Sequence, residues 1–158
     1  MASTISNAAL TVTISENITL NGSQQGATNT FTTDTTINEI SKRIVSVPTS
    51  KVEILKFDTN VASGTFVESN VRYIRITNKD NANHVCLTFK NENDDEFIVL
   101  LDKGQSFIYN SNLDGGVVNT FDATSATGAN INNLGDLVNI SAQADTAAVD
   151  LELFVASI

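Results

Sequence analysis

Apolar and polar residues alternate along much of the chain. The clearest runs lie at residues 10–14, 85–89 and 149–155, where every second side chain is Val, Leu, Ile or Phe. This period of two is typical of β-strands with one buried face, and no segment sustains the 3.6-residue period of a helix. Eight to ten short strands follow at the spacing typical of antiparallel sandwiches and barrels. The pattern therefore predicts an all-β protein: one antiparallel β-sandwich of jelly-roll type.

The boundaries of the strands are set by turn residues. Pro48 cannot donate to a ladder, so it marks a strand end or a sheet edge, and a kink is expected near Glu16-Asn17. We predict a single domain over residues 1–158. Residues 1–36 are expected to form a loosely held N-terminal segment, as an extended arm or as edge strands. Residues 110–135, rich in Gly, Asn, Ser and Thr, are expected to form a long loop excursion.

The composition supports the all-β prediction and excludes some classes of binding partner. Asn, Thr and Ser supply a third of the 158 residues, and all three suit strands and turns better than helix interiors. The formal net charge is −9, whereas phosphate binding needs clustered Lys and Arg. We therefore expect no nucleic-acid partner. No window is apolar enough to span a membrane, so no membrane partner is expected either.

Every basic residue lies between Lys42 and Lys103, which leaves a mixed-charge region around the middle strands. Within it, Arg72, Tyr73 and Arg75 share one strongly apolar strand. Arg and Tyr are favoured at interfaces, but Arg on an edge strand also blocks aggregation. Phe31 is the single large apolar residue in the Thr-rich segment 26–36. We identify these four residues as candidate interface residues.

Catalytic and metal-binding patterns are weak. His84 and Cys86 share one face of a predicted strand, but the chain has no second His or Cys to complete a closed zinc site. The acidic turn at residues 91–96 and the segment 114–116 do not match a calcium-binding loop. Nucleophile and phosphate-loop motifs do not occur. The sequence therefore predicts a protein that is not an enzyme, with no catalytic residues, no metal and no cofactor.

Three segments carry a resemblance to a known group of proteins: AALTVTISENITLNGS near the start, residues 73–110, and the terminal VDLELFVASI. In style and composition the chain resembles the small β-sandwich virion proteins of tailed bacteriophages, especially capsid decoration (cement) proteins. The resemblance implies a structural protein that decorates and stabilises the exterior of the capsid through oligomeric contacts. Its expected partners are copies of itself, with a trimer favoured, and the major capsid protein.

The resemblance also implies a location and a use for the N-terminal segment. The start of the chain has no cationic region followed by an apolar core, so we expect synthesis in the host cytoplasm and a final place on the virion surface. Residues 1–36 would clamp a neighbour by adding a strand to its sheet. The alternative function is a receptor-binding module or tail-fibre tip, which would use the loops around 110–135 for recognition.

Overall fold

The computed structural model describes residues 5–110 and 136–158. Within them the chain forms thirteen strands and one 3-10 turn at Glu68–Asn70. The strands are β1 (Ala8–Ser15), β2 (Thr19–Leu20), β3 (Ser23–Gln24), β4 (Thr28–Ile37), β5 (Glu39–Val47), β6 (Val52–Asp58), β7 (Thr65–Val67), β8 (Val71–Asn78), β9 (Val85–Asn91), β10 (Glu96–Leu101), β11 (Ser106–Asn110), β12 (Leu137–Ala144) and β13 (Val149–Ser157). The number exceeds the expected eight to ten because residues 8–37 contribute four strands.

Two sheets build the body of the molecule. One has five strands in the order β10-β9-β12-β6-β7, and the other has four in the order β11-β8-β13-β5. All neighbours are antiparallel except β6 and β7. A cluster of nineteen buried apolar residues drawn from both sheets forms the main core. The prediction of an all-β sandwich is confirmed, and the jelly-roll connectivity stays a prediction.

Alternation along the strands determines which side chains enter this core. On β9 the buried residues are Val85, Leu87 and Phe89, the odd members of the run. The Phe89 ring stacks on Phe97 of β10, with centroids 4.6 Å apart, and lies 5.0 Å from the ring of Phe107 on β11. Because β11 belongs to the other sheet, Phe89 joins the two layers of the sandwich.

The strand end at Pro48 and the acidic turn form where the sequence predicts them. β5 ends at Val47, directly before Pro48. In the acidic turn, the side-chain oxygen of Asn91 accepts hydrogen bonds from the backbone N–H groups of Asn93 at 3.0 Å and Asp95 at 2.8 Å. Asp94 takes the left-handed conformation, with φ 66°. This segment is a hairpin turn stabilised by an amide side chain, the geometry that Asn and Asp favour.

Residues 8–37 form a two-stranded ribbon, hereafter the ribbon. β1 pairs with β4, and β2 with β3, in one register that continues from Thr11–Thr32 to Leu20–Ser23. The chain reverses at Asn21-Gly22, where both φ values are positive (50° and 79°), as a two-residue hairpin turn requires. Glu16-Asn17, where a kink is expected, lies between the end of β1 and the start of β2. The segment expected to be an arm or edge strands is thus paired with itself.

The base of the ribbon packs on the outer face of the four-stranded sheet. A second, smaller apolar cluster lies there, formed by buried Ile37, Tyr73 and Ala156 with partly buried neighbours, Leu10 and Val12 of the ribbon among them. The four-stranded sheet is therefore covered on both faces at this point. Beyond it, residues 13–30 are all exposed except Gly26, and we name this part the outer ribbon.

Candidate functional site

The place where the ribbon meets the sheet gathers most of the residues singled out from the sequence. Tyr73 on β8 is buried beneath Leu10 and Val12, and its ring meets Phe154 of β13 edge-on at 5.8 Å. Burial raises the pKa of Tyr73 above its ordinary value, although the neighbouring Arg75 acts in the opposite direction. Tyr73 and Phe154 thus form an apolar surface on which the base of the ribbon packs, and we name this surface the seat of the ribbon.

A buried ion pair fixes the ribbon at one end of this seat. Arg72 donates from Nε to Asp34 Oδ2 of β4 at 3.1 Å and from Nη1 to the carbonyl of Ser69 at 2.6 Å. The Arg72 and Asp34 side chains are only 7% and 14% exposed. Burial opposes ionisation of Asp34, but hydrogen bonds from Thr36 and Arg72 outweigh it and leave the pKa of Asp34 below its usual value.

A second group of charges lies on the outer face of the same sheet. Arg75 donates to Glu152 at 2.6 Å and its guanidinium carbon lies 5.9 Å from the centre of the Phe154 ring. Lys42 of β5 approaches the other oxygen of Glu152 at 3.5 Å. The hydrogen bond from Arg75 lowers the pKa of Glu152, burial opposes this effect, and the charge of Lys42 lowers the pKa further. Glu152 therefore stays ionised between two cations.

The structure brings the four candidate interface residues to one region, but in different environments. Arg72 is buried and bonded to Asp34, and Tyr73 lies under the ribbon. Arg75 is half-buried beside Phe154. Phe31 is half-buried and faces Val12 across the ribbon. Within one chain all four lie at or beside the seat of the ribbon, and their contact with another chain stays a prediction.

Sequence interpretation missed the surfaces that the fold leaves uncovered. Two patches of large apolar residues are exposed on edge strands: Ile40 and Ile44 on β5, and Ile98 and Leu100 on β10. Ile14, Ile18 and Leu20 are exposed on the ribbon. The sequence pattern at residues 40–44 predicts a strand, but it does not show which face of that strand is buried by the rest of the fold. Exposed apolar side chains on sheet edges are the usual template for association between chains.

The other chemical candidates are placed apart from this region. His84 Nδ1 lies 3.6 Å from a carboxylate oxygen of Asp145, and Cys86 is a half-buried free thiol. No three His, Cys, Asp or Glu residues lie close enough to hold a metal ion among residues 5–110 and 136–158. Residues 114–116, and all but the first residue of the predicted 110–135 excursion, lie outside the described residues.

One acidic groove shows a perturbed carboxyl group. Glu68 lines it together with Asp58 and Glu92. Burial, and then the negative charges of Asp136, Asp58 and Glu92, raise the pKa of Glu68. Burial is thus the main cause of the shift, and repulsion from the neighbouring carboxylates adds to it. Among the described residues that line the groove, no nucleophile is paired with a base.

Comparison of the chain with protein-family models, with curated proteins and with solved structures finds no match. In the part of the chain that the structure describes, no helix has the length and apolar character needed to cross a membrane.

Proposed function

We propose that this protein is a non-catalytic structural protein that assembles with copies of itself, as a trimer by preference, on the exterior of a tailed-phage capsid. The observation that carries the proposal is the outer ribbon, which projects from the sandwich with both faces exposed. A two-stranded ribbon is at best marginally stable alone in water. If the outer ribbon packs against the surface of a partner chain, it gains the stabilising contacts that it lacks in a single chain.

The character of the surface supports assembly over catalysis. The apolar patches on β5 and β10 each lie on one edge strand of a different sheet, and sheet edges are where chains associate most easily. The polar surface is mostly neutral because only 17% of residues are charged. This leaves neutral surface on which identical copies can pack side by side, although the formal net charge of −9 on each copy opposes their association. The capsid as the location, and the major capsid protein as a partner, rest on the resemblance of the sequence to decoration proteins.

The first experiment measures self-association and its dependence on the outer ribbon. A shortened variant deletes residues 15–20 and 23–28, so that Asn21-Gly22 joins Ile14 directly to Asn29. Ile14–Asn29 occupies the same type of hydrogen-bonded position as Leu20–Ser23, so the turn remains compatible with the ladder. We expect an oligomer for the full chain and, for the variant, a monomer that still melts cooperatively. A full chain that is strictly monomeric contradicts the proposed self-assembly.

The second experiment locates the protein on the particle. Cryo-electron microscopy of virions of the phage that encodes the chain should show density in a regular lattice on the head. Quantitative mass spectrometry should then give a copy number proportional to the capsomers. A few copies at the tail would support the alternative receptor-binding function instead, and a protein missing from purified particles would refute both.

A further inference from the structure

The two faces of the outer ribbon differ in chemistry. One face carries hydroxyl and amide side chains that bond to each other, with Thr13–Thr30 and Ser15–Thr28 both at 3.0 Å. By alternation, the opposite face carries Ile14, Glu16 and Ile18, followed by Leu20. The three apolar members are 41%, 55% and 60% exposed. Glu16 is the single charged residue among residues 1–33. On this face, the side contributed by β1 and β2 is thus an apolar stripe interrupted by one negative charge.

At the base of the ribbon, residues on the same face as this stripe are covered by the sheet. Leu10 and Val12 lie on the same face of the ribbon and pack on Tyr73 and Phe154 of the four-stranded sheet. From Thr11 to Leu20 the ribbon extends about 30 Å at the ordinary rise of a strand, well beyond that seat. The same kind of surface that is covered at the base is therefore uncovered along the outer ribbon.

A matching surface lies on β5. Its outward residues Ile40, Lys42 and Ile44 pair with Ala156, Phe154 and Glu152 of β13, which places them on the outer face of the sheet. Ile40 and Ile44 are 60% and 63% exposed, and the Lys42 side chain is 59% exposed. We name these three residues the β5 patch. The ribbon of the same chain covers Tyr73 and leaves the β5 patch open.

We propose that the outer ribbon of one copy lies across the β5 patch of a second copy, with Glu16 against Lys42 and with Ile14 and Ile18 against Ile40 and Ile44. On each surface an apolar, a charged and an apolar side chain follow one another at every second strand position. Neighbouring side chains on each surface are therefore about 7 Å apart. The charges of the two surfaces are opposite. Lys42 is available because Glu152, its neighbour at 3.5 Å, is held more closely by Arg75 at 2.6 Å.

The other exposed apolar patch fits the ribbon less well. On β10 the outward residues are Glu96, Ile98 and Leu100, so its charged member is acidic and repels Glu16. Glu96 also already pairs with Lys51 at 2.7 Å. Charge therefore selects β5 over β10. A contact between two different surfaces closes either as a ring or as a reciprocal exchange of ribbons in a dimer.

This inference rests on the proposed self-assembly, and a charge exchange tests it separately. Glu16→Lys and Lys42→Glu each place like charges together, whereas the double variant restores opposite charges in the reversed sense. Glu53→Lys and Lys103→Glu make the same charge changes at exposed positions outside both surfaces. Sedimentation velocity over a concentration series measures the association of each protein, and thermal melting confirms that each is folded.

Each single variant should associate at least about tenfold more weakly than the native chain. The double variant should recover association, and an equal mixture of the two single variants should form mixed oligomers. The controls should behave as the native chain does. An oligomer whose double variant stays as weak as the single variants refutes this interface but leaves self-assembly standing. A native chain that is monomeric at every concentration overturns this inference and the proposed trimer, while the location on the particle is decided separately by microscopy.

Discussion

Replacing Asp34 by Asn should release the ribbon from the body without unfolding the sandwich. The substitution preserves shape, and the remaining oxygen can still accept the hydrogen bonds from Thr36 at 2.8 and 2.6 Å. The new NH₂ group, however, faces the Nε–H donor of Arg72, which is only 7% exposed. Breaking a buried pair costs about 3–5 kcal/mol, and the partial exposure of Asp34 reduces this to about 2–3 kcal/mol. Opening of the ribbon should therefore become roughly 30- to 150-fold more frequent.

Hydrogen exchange measures this effect segment by segment. Backbone amides of β1 and β4 near the seat should exchange faster in Asp34→Asn, while those of β9 and β13 in the core should keep their native rates. Asp150→Asn provides an isosteric control at an exposed position. The pair Asp34→Asn with Arg72→Met should lose less stability than Asp34→Asn alone, because no unpaired guanidinium stays buried.

Acid provides an independent perturbation of the same contact. Because the folded protein lowers the pKa of Asp34, this carboxylate stabilises the fold above its unfolded pKa near 3.8. That contribution is lost as the pH falls through the still lower folded value.

Equal exchange rates for the ribbon in the native and Asp34→Asn proteins would refute the anchoring role. A rise spread evenly over ribbon and core would refute it as well.

Three further outcomes follow from particular contacts. A Cβ on Gly26 would lie 2.1 Å from the carbonyl oxygen of Glu16. Gly26→Ala should therefore destabilise the ribbon by about 1–3 kcal/mol and speed hydrogen exchange of its amides. Exchange rates in the ribbon that match the native ones would contradict this. Phe89→Ala removes a ring that is 1% exposed and contacts both sheets. Denaturant titration should show a free energy of unfolding lower by about 3–5 kcal/mol. A decrease of less than about 1 kcal/mol would contradict the role of Phe89 in the core. Burial raises the pKa of Tyr109 to about 12 and also raises that of Tyr73, so ultraviolet titration should find both less than half ionised at pH 10. Their neutral forms stabilise the fold below the ordinary tyrosine pKa, and this contribution is lost as the pH rises through the folded values.

Some features of the interaction surface could be recognised from the sequence and others could not. Tyr73 and Arg75 are two residues apart, so a strand places them on one face, which is the outer face in the structure. Parity would put Arg72 on the opposite face, but the pairing of β8 with β13 shifts register there, and Arg72 bonds to Asp34 of the ribbon. No local signal indicated that Arg72 would meet Asp34, because the two residues are 38 positions apart and belong to strands that are not paired with each other.

The sequence by itself determined the strand class, most turns and the inward faces of strands such as β9 and β13. These features are local: alternation, Pro48 and Asn-rich turns act on neighbouring residues, so their effect needs no knowledge of partners. The tertiary structure alone decided that residues 8–37 pair with themselves, that Tyr73 is covered and that the β5 patch stays open. Such outcomes depend on contacts between distant segments. A strand exposes the same two faces whichever neighbour covers them, so only the assembled fold shows which face remains available for a partner.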